Sequence, residues 1–203
     1  EMVRNFSSID LPDTIGAMLI IEVDGMNDDI GEALKRVAAA ADNDECIEIN
    51  LAETPEAVEK LWKTRKSLSP ALRHVAPKKI NEDVAVPISS MPALIEGLER
   101  LSGEHDITIV NFGHAGNGNI HVNLLVNPDD AAEMQRAQSC LAEVFALVIA
   151  LKGTLSGEHG VGLEKRDFIS MEIDPVSLRL MHRIKQQFDP NNILNPGKTL
   201  PPI

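Results

Sequence analysis

The chain has 203 residues and a formal net charge of −12, and only 3% of its residues are aromatic. Nucleic acids and anionic membrane surfaces attract basic patches, so this charge argues against both partners, and the scarcity of rings argues against a base-stacking surface. No apolar run approaches the about 20 residues that a membrane helix needs. The two cysteines, Cys46 and Cys140, lack metal or disulfide spacing and indicate a reduced, cytoplasmic protein. No signal peptide is recognisable, and because Glu1 opens the chain we expect a piece of a longer protein.

The first half of the chain predicts alternating strands and helices. Apolar or alternating patterns predict strands over 17–23 and 45–51, each followed by a helix, over 28–41 and 54–72. Thr54 as N-cap and Pro55 at the first helical position are typical of a helix start. A third strand is expected over 82–87, at a sheet edge because of Pro87. A helix over 90–101 should end at Gly103.

The second half predicts a hairpin followed by helices. Strands are expected over 107–110 and 122–126, then a long helix that begins after 127–130 and ends at Gly153. Further helices are expected over 163–170 and 174–188. This order favours an α+β fold: an antiparallel sheet with helices packed on one face, ferredoxin-like elements and a C-terminal helical segment. No repeat or linker divides the chain.

Two glycine-rich stretches carry the candidate chemistry. The first, 111–123, has His114 and His121 around a tight turn, so both imidazoles can converge on one ion. The second, 153–162, supplies Glu158 and His159. Imidazole nitrogens and a carboxylate suit Zn²⁺, Mn²⁺ or Fe²⁺, and three such ligands leave coordination positions open for catalysis.

Plainer interpretations exist for each of these residues. Histidines beside glycines are commonly loop residues, and the asparagines of the first stretch could simply satisfy turn backbone. Arg65 follows Val58 and Trp62 on one helix face, where it is either a snorkelling side chain or a clamp on a carboxylate. Lys78 and Lys79 are most simply a solvated charge pair.

Three motifs resemble the C-terminal signatures of one flavoenzyme family. They lie at 113–121, 157–162 and 188–198, in the order and spacing of that family, and the resemblance covers nearly the whole chain. The family is the FAD-linked oxidases related to D-lactate dehydrogenase, the glycolate oxidase D subunit and D-2-hydroxyglutarate dehydrogenase.

The resemblance implies roles for named residues. His159 would be the base that takes the substrate hydroxyl proton. The implied metal ligands, for zinc or manganese, are His114, His121 and Glu158; the implied substrate-binding residues are Arg65, Asn123 and Lys79; the implied flavin-facing residues are Asn195, Pro196, Gly197 and Lys198.

The resemblance also implies an activity and partners. The complete enzyme would oxidise a D-2-hydroxy acid of the lactate, glycolate or 2-hydroxyglutarate type to the 2-oxo acid by hydride transfer to FAD. The FAD would be bound mainly by an N-terminal domain that is absent from these 203 residues, so we expect this chain alone to be inactive. The electron acceptor is not identified by the sequence. A homodimer or partner oxidase subunits are expected, in the cytoplasm or peripherally at the inner face of a membrane.

Two positions depart from the family pattern. Asn117 stands where the family commonly has aspartate, which removes a charge near the expected metal. Lys79 lies two residues before the place of a lysine found in some members, a place that Asn81 occupies here. The residues alone also leave two other functions open, a metal-dependent hydrolase and a non-catalytic metal- or ligand-binding module.

Overall fold

The computed structural model describes residues 15–72 and 74–202 and divides the chain into two compact units, Glu1–His74 and Val75–Ile203. In the described part of the first unit, the regular elements are two helices, α1 (Asn27–Ala41) and α2 (Pro55–Leu72). The Thr54 hydroxyl accepts the N–H of Ala57 at 3.3 Å, and Pro55 is the first residue of α2. Both helix-start signals are therefore confirmed.

The strands expected over 17–23 and 45–51 are wrong. Neither segment has regular secondary structure, and no strand pairing involves either among the described residues. Leu19 and Ile47, for example, are 70% and 56% exposed. An alternating pattern indicates a face that could be buried, but a strand also needs a hydrogen-bonded neighbour, which the pattern does not supply.

The second unit is built around a three-stranded antiparallel sheet. Its strands are β1 (Lys78–Ala85), β2 (Thr108–His114) and β3 (Asn119–Val126), in the spatial order β1-β3-β2. The helices of this unit are α3 (Met91–His105), α4 (Ala131–Ala150) and α5 (Pro175–Phe188). Short 3₁₀ helices span Ile88–Ser90, Ala115–Asn117 and Arg166–Met171. The expected α+β architecture with an antiparallel sheet is confirmed.

The alternation of side chains along β3 separates the core from the site. Ile120, Val122, Leu124 and Val126 join one hydrophobic cluster with buried residues of α3 and α4, among them Leu98 and Phe145. Because successive strand residues point to opposite faces, the residues between them project away from this cluster. These alternate positions are Asn119, His121, Asn123 and Leu125, so the chemistry-bearing side chains of this strand share the other face of the sheet.

Several boundaries differ from the expected ones. Strand β1 lies at 78–85 rather than 82–87 and excludes Pro87, although its edge position is confirmed. Helix α3 continues past Gly103 and ends at His105, where Asp106 takes a left-handed conformation with φ of 52°. The segment expected to be an α-helix at 163–170 contains the 3₁₀ helix Arg166–Met171 instead.

The start of α4 agrees with expectation. The Asp130 carboxylate accepts the N–H groups of Ala132 and Glu133 at 2.9 and 3.0 Å, which satisfies amides that have no partner within the helix. Within the described residues, no helix is long and apolar enough to cross a membrane.

Candidate functional site

The hairpin of β2 and β3 brings the two histidines of the first glycine-rich stretch together. His114 is the last residue of β2, and His121 is the third residue of β3, where it pairs with Phe112. A Cβ atom on Gly113 would lie 2.1 Å from the carbonyl oxygen of Asn119, so only glycine allows the strands to approach this closely. The two imidazole centroids are 5.5 Å apart.

The second glycine-rich stretch runs along the free edge of β1. Thr154 and Ala85 form an antiparallel bridge, and the Gly157 N–H donates to the carbonyl oxygen of Asp83 at 3.4 Å. A Cβ atom on Gly157 would lie 2.0 Å from Asn119 Oδ1, so this close approach also requires glycine. The segment thereby carries Glu158 to the site face of the sheet.

Three side chains converge into a candidate metal-ligand triad, which is called the triad below: His114, His121 and Glu158. Glu158 Oε1 lies 3.3 Å from His121 Nε2 and 4.0 Å from His114 Nε2, and the ligand atoms of all three lie within 4.8 Å of one another. Ligand atoms around a tetrahedral Zn²⁺ are separated by roughly 3–3.5 Å, given bonds of about 2.0–2.2 Å. The donor types therefore suit one divalent ion, and the Glu158–His121 pair already has this spacing, whereas the wider separations would have to close by roughly 0.5–1.5 Å for all three to bind it.

His159 lies beside this triad. Its ring stacks on His121, with centroids 5.4 Å apart and an interplanar angle of 21°. Its Nε2 is 3.8 Å from Glu158 Oε1, and its Nδ1 is 3.3 Å from Asp83 Oδ1. About half of the side chain is exposed, so a small molecule beside the triad can reach this imidazole.

A buried charged cluster, which was not expected from the sequence, lies next to these residues. Glu82, Asp83 and Lys165 are at most 3% exposed. Lys165 Nζ donates to Asp83 Oδ1 at 2.6 Å and to the Asp83 carbonyl oxygen at 2.7 Å, and it lies 3.5 Å from Glu82 Oε2. The available signal was a pair of consecutive acids, Glu82 and Asp83, directly before three apolar residues, 84–86.

The two carboxyl groups of this cluster differ in pKa. Burial acts to raise the pKa of Asp83, but hydrogen bonds from Lys165 and from the backbone amides of Glu158 and His159 outweigh it and lower the pKa to about 2. Burial raises the pKa of Glu82, against the opposing charge of Lys165. Asp83 is therefore the ionised partner of the buried lysine.

Two of the expected substrate-binding residues lie on the site face of the sheet. Asn123 is fully buried, its Nδ2 donates to the carbonyls of Val110 and His121 at 3.1 Å each, and its Oδ1 has no hydrogen-bond partner among the described residues. Lys79 pairs with Leu125, four residues before Asp83, or ~13 Å along the strand. Its role in substrate binding stays a prediction.

Arg65 and the tail residues lie elsewhere in the chain. Arg65 is a half-buried residue of α2, in the first unit, and its expected role as a carboxylate clamp stays a prediction. The four expected flavin-facing residues, 195–198, are exposed in the segment after α5. Asn195 and Gly197 have φ of 46° and 70°, and Arg166 donates to the Gly197 carbonyl at 2.7 Å, so the segment forms a defined turn.

Asn117 has a local structural role. Its Oδ1 accepts the N–H of Asn119 at 3.1 Å within the turn between β2 and β3. An aspartate carboxylate could accept the same bond. The side chain at this position thus stabilises the turn between the two histidines.

Known proteins resemble this chain over most of its length. It is 34% identical over 197 residues to glycolate oxidase subunit GlcD of Bacillus subtilis, covering 97% of this chain and 42% of that protein. It is 33% identical to D-lactate dehydrogenase of Anaerostipes hadrus, covering 91% and 39%, and 36% identical to D-2-hydroxyglutarate dehydrogenase of Stutzerimonas stutzeri, covering 73% and 32%. The chain therefore spans less than half the length of these relatives.

The fold has a counterpart among solved structures, and the sequence matches a family model. The structure of 4-ethylphenol oxidase from Gulosibacter chungangensis aligns with a TM-score of 0.58 at 19% identity, over 86% of this chain and 37% of that one. This likeness shows the fold alone. The model of the FAD linked oxidases, C-terminal domain, matches residues 1–199. The chain belongs to this family of C-terminal domains of FAD linked oxidases.

Proposed function

We propose that the complete protein is a flavin-dependent dehydrogenase that oxidises a D-2-hydroxy acid to the 2-oxo acid. The observation that carries this proposal is the convergence of His114, His121 and Glu158, with His159 stacked beside them. Membership of the FAD linked oxidase family supports flavin as the redox cofactor, bound mainly by residues outside this chain. The names of the relatives support a substrate of the glycolate, lactate or 2-hydroxyglutarate type.

The triad would hold a divalent cation, Zn²⁺, Mn²⁺ or Fe²⁺. When bound, that ion supplies Lewis acidity to the substrate's hydroxyl and carboxylate oxygens, and the flavin supplies an acceptor for the hydride. The chain's own contribution would be to supply these three ligands from two segments, the β2–β3 hairpin and the stretch along the edge of β1.

His159 would take the proton of the substrate hydroxyl. Because its Nδ1 lies beside the Asp83 carboxylate, Nε2 is the nitrogen that can act as the base. A positioned general base contributes about 10²–10⁴-fold to a rate. Arg65 would clamp the substrate carboxylate. Asn123 Oδ1, which has no hydrogen-bond partner in the part of the chain that the structure describes, would accept a hydrogen bond from the bound substrate. The remaining assignments of this proposal are Lys79 at the substrate's far end and Asn195, Pro196, Gly197 and Lys198 against the flavin.

The test is anaerobic flavin reduction by the complete protein. We expect D-lactate, glycolate or D-2-hydroxyglutarate to bleach the flavin, and the L enantiomer of the active chiral acid to be much slower. His159→Gln should lower the rate constant of bleaching by about 10²–10⁴-fold while substrate still binds. A His159→Gln protein that reduces its flavin at the unchanged rate would refute the assignment of the base. Failure of all these acids to reduce the flavin would refute the substrate class.

A further inference from the structure

Asp83 is a buried carboxylate that the proposed chemistry does not use. It is completely inaccessible to solvent, and it lies on β1 directly opposite His121 of β3. Directly opposite residues of an antiparallel pair project to the same face of the sheet. Asp83 therefore lies next to one ligand of the triad and faces the segment that carries another.

The Asp83 carboxylate binds the backbone at that segment. Its Oδ2 accepts the N–H of Glu158 at 2.5 Å and the N–H of His159 at 3.0 Å. Charge-assisted bonds of this kind are shorter and stronger than bonds between neutral groups. Two consecutive amides held by one oxygen set the position from which the Glu158 and His159 side chains project.

Lys165 binds the same aspartate from the other end of the segment. Its ammonium binds Oδ1 and the backbone carbonyl of Asp83, so the chain from 158 to 165 is attached to Asp83 at both ends. The lysine also balances a charge that would otherwise be buried alone, which is strongly destabilising. The carboxylate can thus stay ionised beneath the site.

The same carboxylate faces the His159 ring. Asp83 Oδ1 lies 3.3 Å from Nδ1, while Nε2 faces Glu158 at 3.8 Å. A carboxylate beside one ring nitrogen sets the tautomer and orientation of an imidazole. One side chain therefore contacts both neighbours, Glu158 through its backbone and His159 through backbone and ring.

We propose that Asp83, with Lys165 as its counter-ion, is the positioning residue of the site, holding Glu158 at ligand distance from the two histidines and orienting His159. It acts through these residues and touches neither metal nor substrate. The inference rests on the proposed use of Glu158 and His159. It adds that the geometry of the site depends on a carboxylate outside the glycine-rich motifs.

The chain offers a matched control in Asp189. This aspartate is 6% exposed, binds Lys185 Nζ at 2.5 Å, and accepts the N–H groups of Ile193 and Leu194 at 2.9 and 3.0 Å. It makes the same three kinds of contact as Asp83, but in the segment after α5. Asp189→Asn therefore removes an equivalent buried carboxylate without touching the triad.

The experiment measures Co²⁺ binding to the 203-residue chain by titration, together with the visible spectrum of the bound ion, which reports ligand geometry. Outer-shell partners of metal ligands contribute about 10–100-fold to affinity, so Asp83→Asn should weaken Co²⁺ binding by this factor and change the spectrum. Asp189→Asn should leave affinity and spectrum unchanged. If the Asp83→Asn variant does not fold, the double variant Asp83→Asn/Lys165→Met, which removes both buried charges, is measured in the same way.

The outcomes separate the two proposals. Unchanged affinity and spectrum in the folded Asp83 variant would overturn the positioning role while leaving the metal site standing. Equal losses of Co²⁺ affinity in the Asp83 and Asp189 variants would also overturn the positioning role, because a general loss of stability would then explain both. A wild-type chain that binds no Co²⁺ would instead count against the metal site itself.

Discussion

The two histidines of the triad sit in different surroundings. The His114 side chain is 51% exposed, whereas the His121 side chain is 11% exposed and packs against Phe112 and His159. If both are metal ligands, as proposed, His121 would contribute to the packing of the sheet face as well as to binding, whereas the exposed His114 would contribute mainly to binding.

Alanine substitutions at these two positions should therefore separate stability from metal affinity. We expect His114→Ala to change the free energy of unfolding by less than about 0.5 kcal/mol, and His121→Ala to lower it by about 1 kcal/mol or more. Both should weaken metal binding. Urea unfolding of the metal-free chain measures the free energy of unfolding. Equal values for the two variants would contradict this division of roles.

A second residue-level prediction concerns Asp189 and pH. The hydrogen bond from Lys185 holds the pKa of Asp189 below its usual value near 3.8, helped by the amides of Ile193 and Leu194 and opposed by burial. A carboxyl with a lowered folded-state pKa stabilises the fold above its unfolded-state pKa, and this stabilisation is lost as pH falls through the folded-state value. Asp189→Asn should thus be less stable than wild type at neutral pH.

The difference between wild type and Asp189→Asn should shrink as the pH is lowered below about 4. Denaturant unfolding of both proteins between about pH 7 and 3 measures this difference. A difference in unfolding free energy that stays constant down to the lowest pH would show that the ionised form of Asp189 does not stabilise the fold more than the protonated form.

At the level of elements, local signals predicted helix starts well. Thr54 and Asp130 bind the first amides of their helices, as their positions suggested, because capping depends only on neighbours in sequence. Helix ends were harder to predict. Gly103 had been expected to end α3, but the helix contains it and stops at Asp106, a non-glycine residue in the left-handed region.

Glycine inside α3 leads to a testable prediction. A Cβ atom on Gly103 would meet no atom within 4 Å, so Gly103→Ala should raise the free energy of unfolding by about 0.5–1 kcal/mol through helix propensity. Gly97 is the control in the same helix, because its added Cβ would lie 2.4 Å from Leu147 Cδ2 and force that side chain to move. Thermal unfolding compares them, and an equal gain at both positions would contradict the structure of the α3–α4 contact.

At the level of the molecule, the sequence predicted the triad but not what supports it. The triad was visible because histidines, a glutamate and glycines cluster in two short stretches. The contacts of Asp83 with Glu158, His159 and Lys165 join positions more than 70 residues apart, so no local pattern could indicate them. The strand predictions over 17–23 and 45–51 were wrong for a related reason, since these segments have strand-like patterns without partners among the described residues.

At the scale of the whole molecule, the proposal assigns the metal ligands and the base to this chain and the flavin mainly to residues outside it. The relatives are more than twice as long as this chain, which agrees with such a division of labour. The chain's own contribution would be the metal ligands, the base and the substrate contacts. The proposed metal is the part of the proposal on which the other assignments depend.

Anomalous scattering from crystals of the protein grown with Mn²⁺ or Zn²⁺ tests that centre most directly. We predict one strong peak bonded to His114 Nε2, His121 Nε2 and a Glu158 carboxylate oxygen, at about 2.0–2.2 Å for zinc. Crystals of the Glu158→Gln variant, grown with the same metal, should show this peak weakened or lost. A fully occupied metal peak at another position in the wild-type crystals, with no peak among these three side chains, would contradict the account.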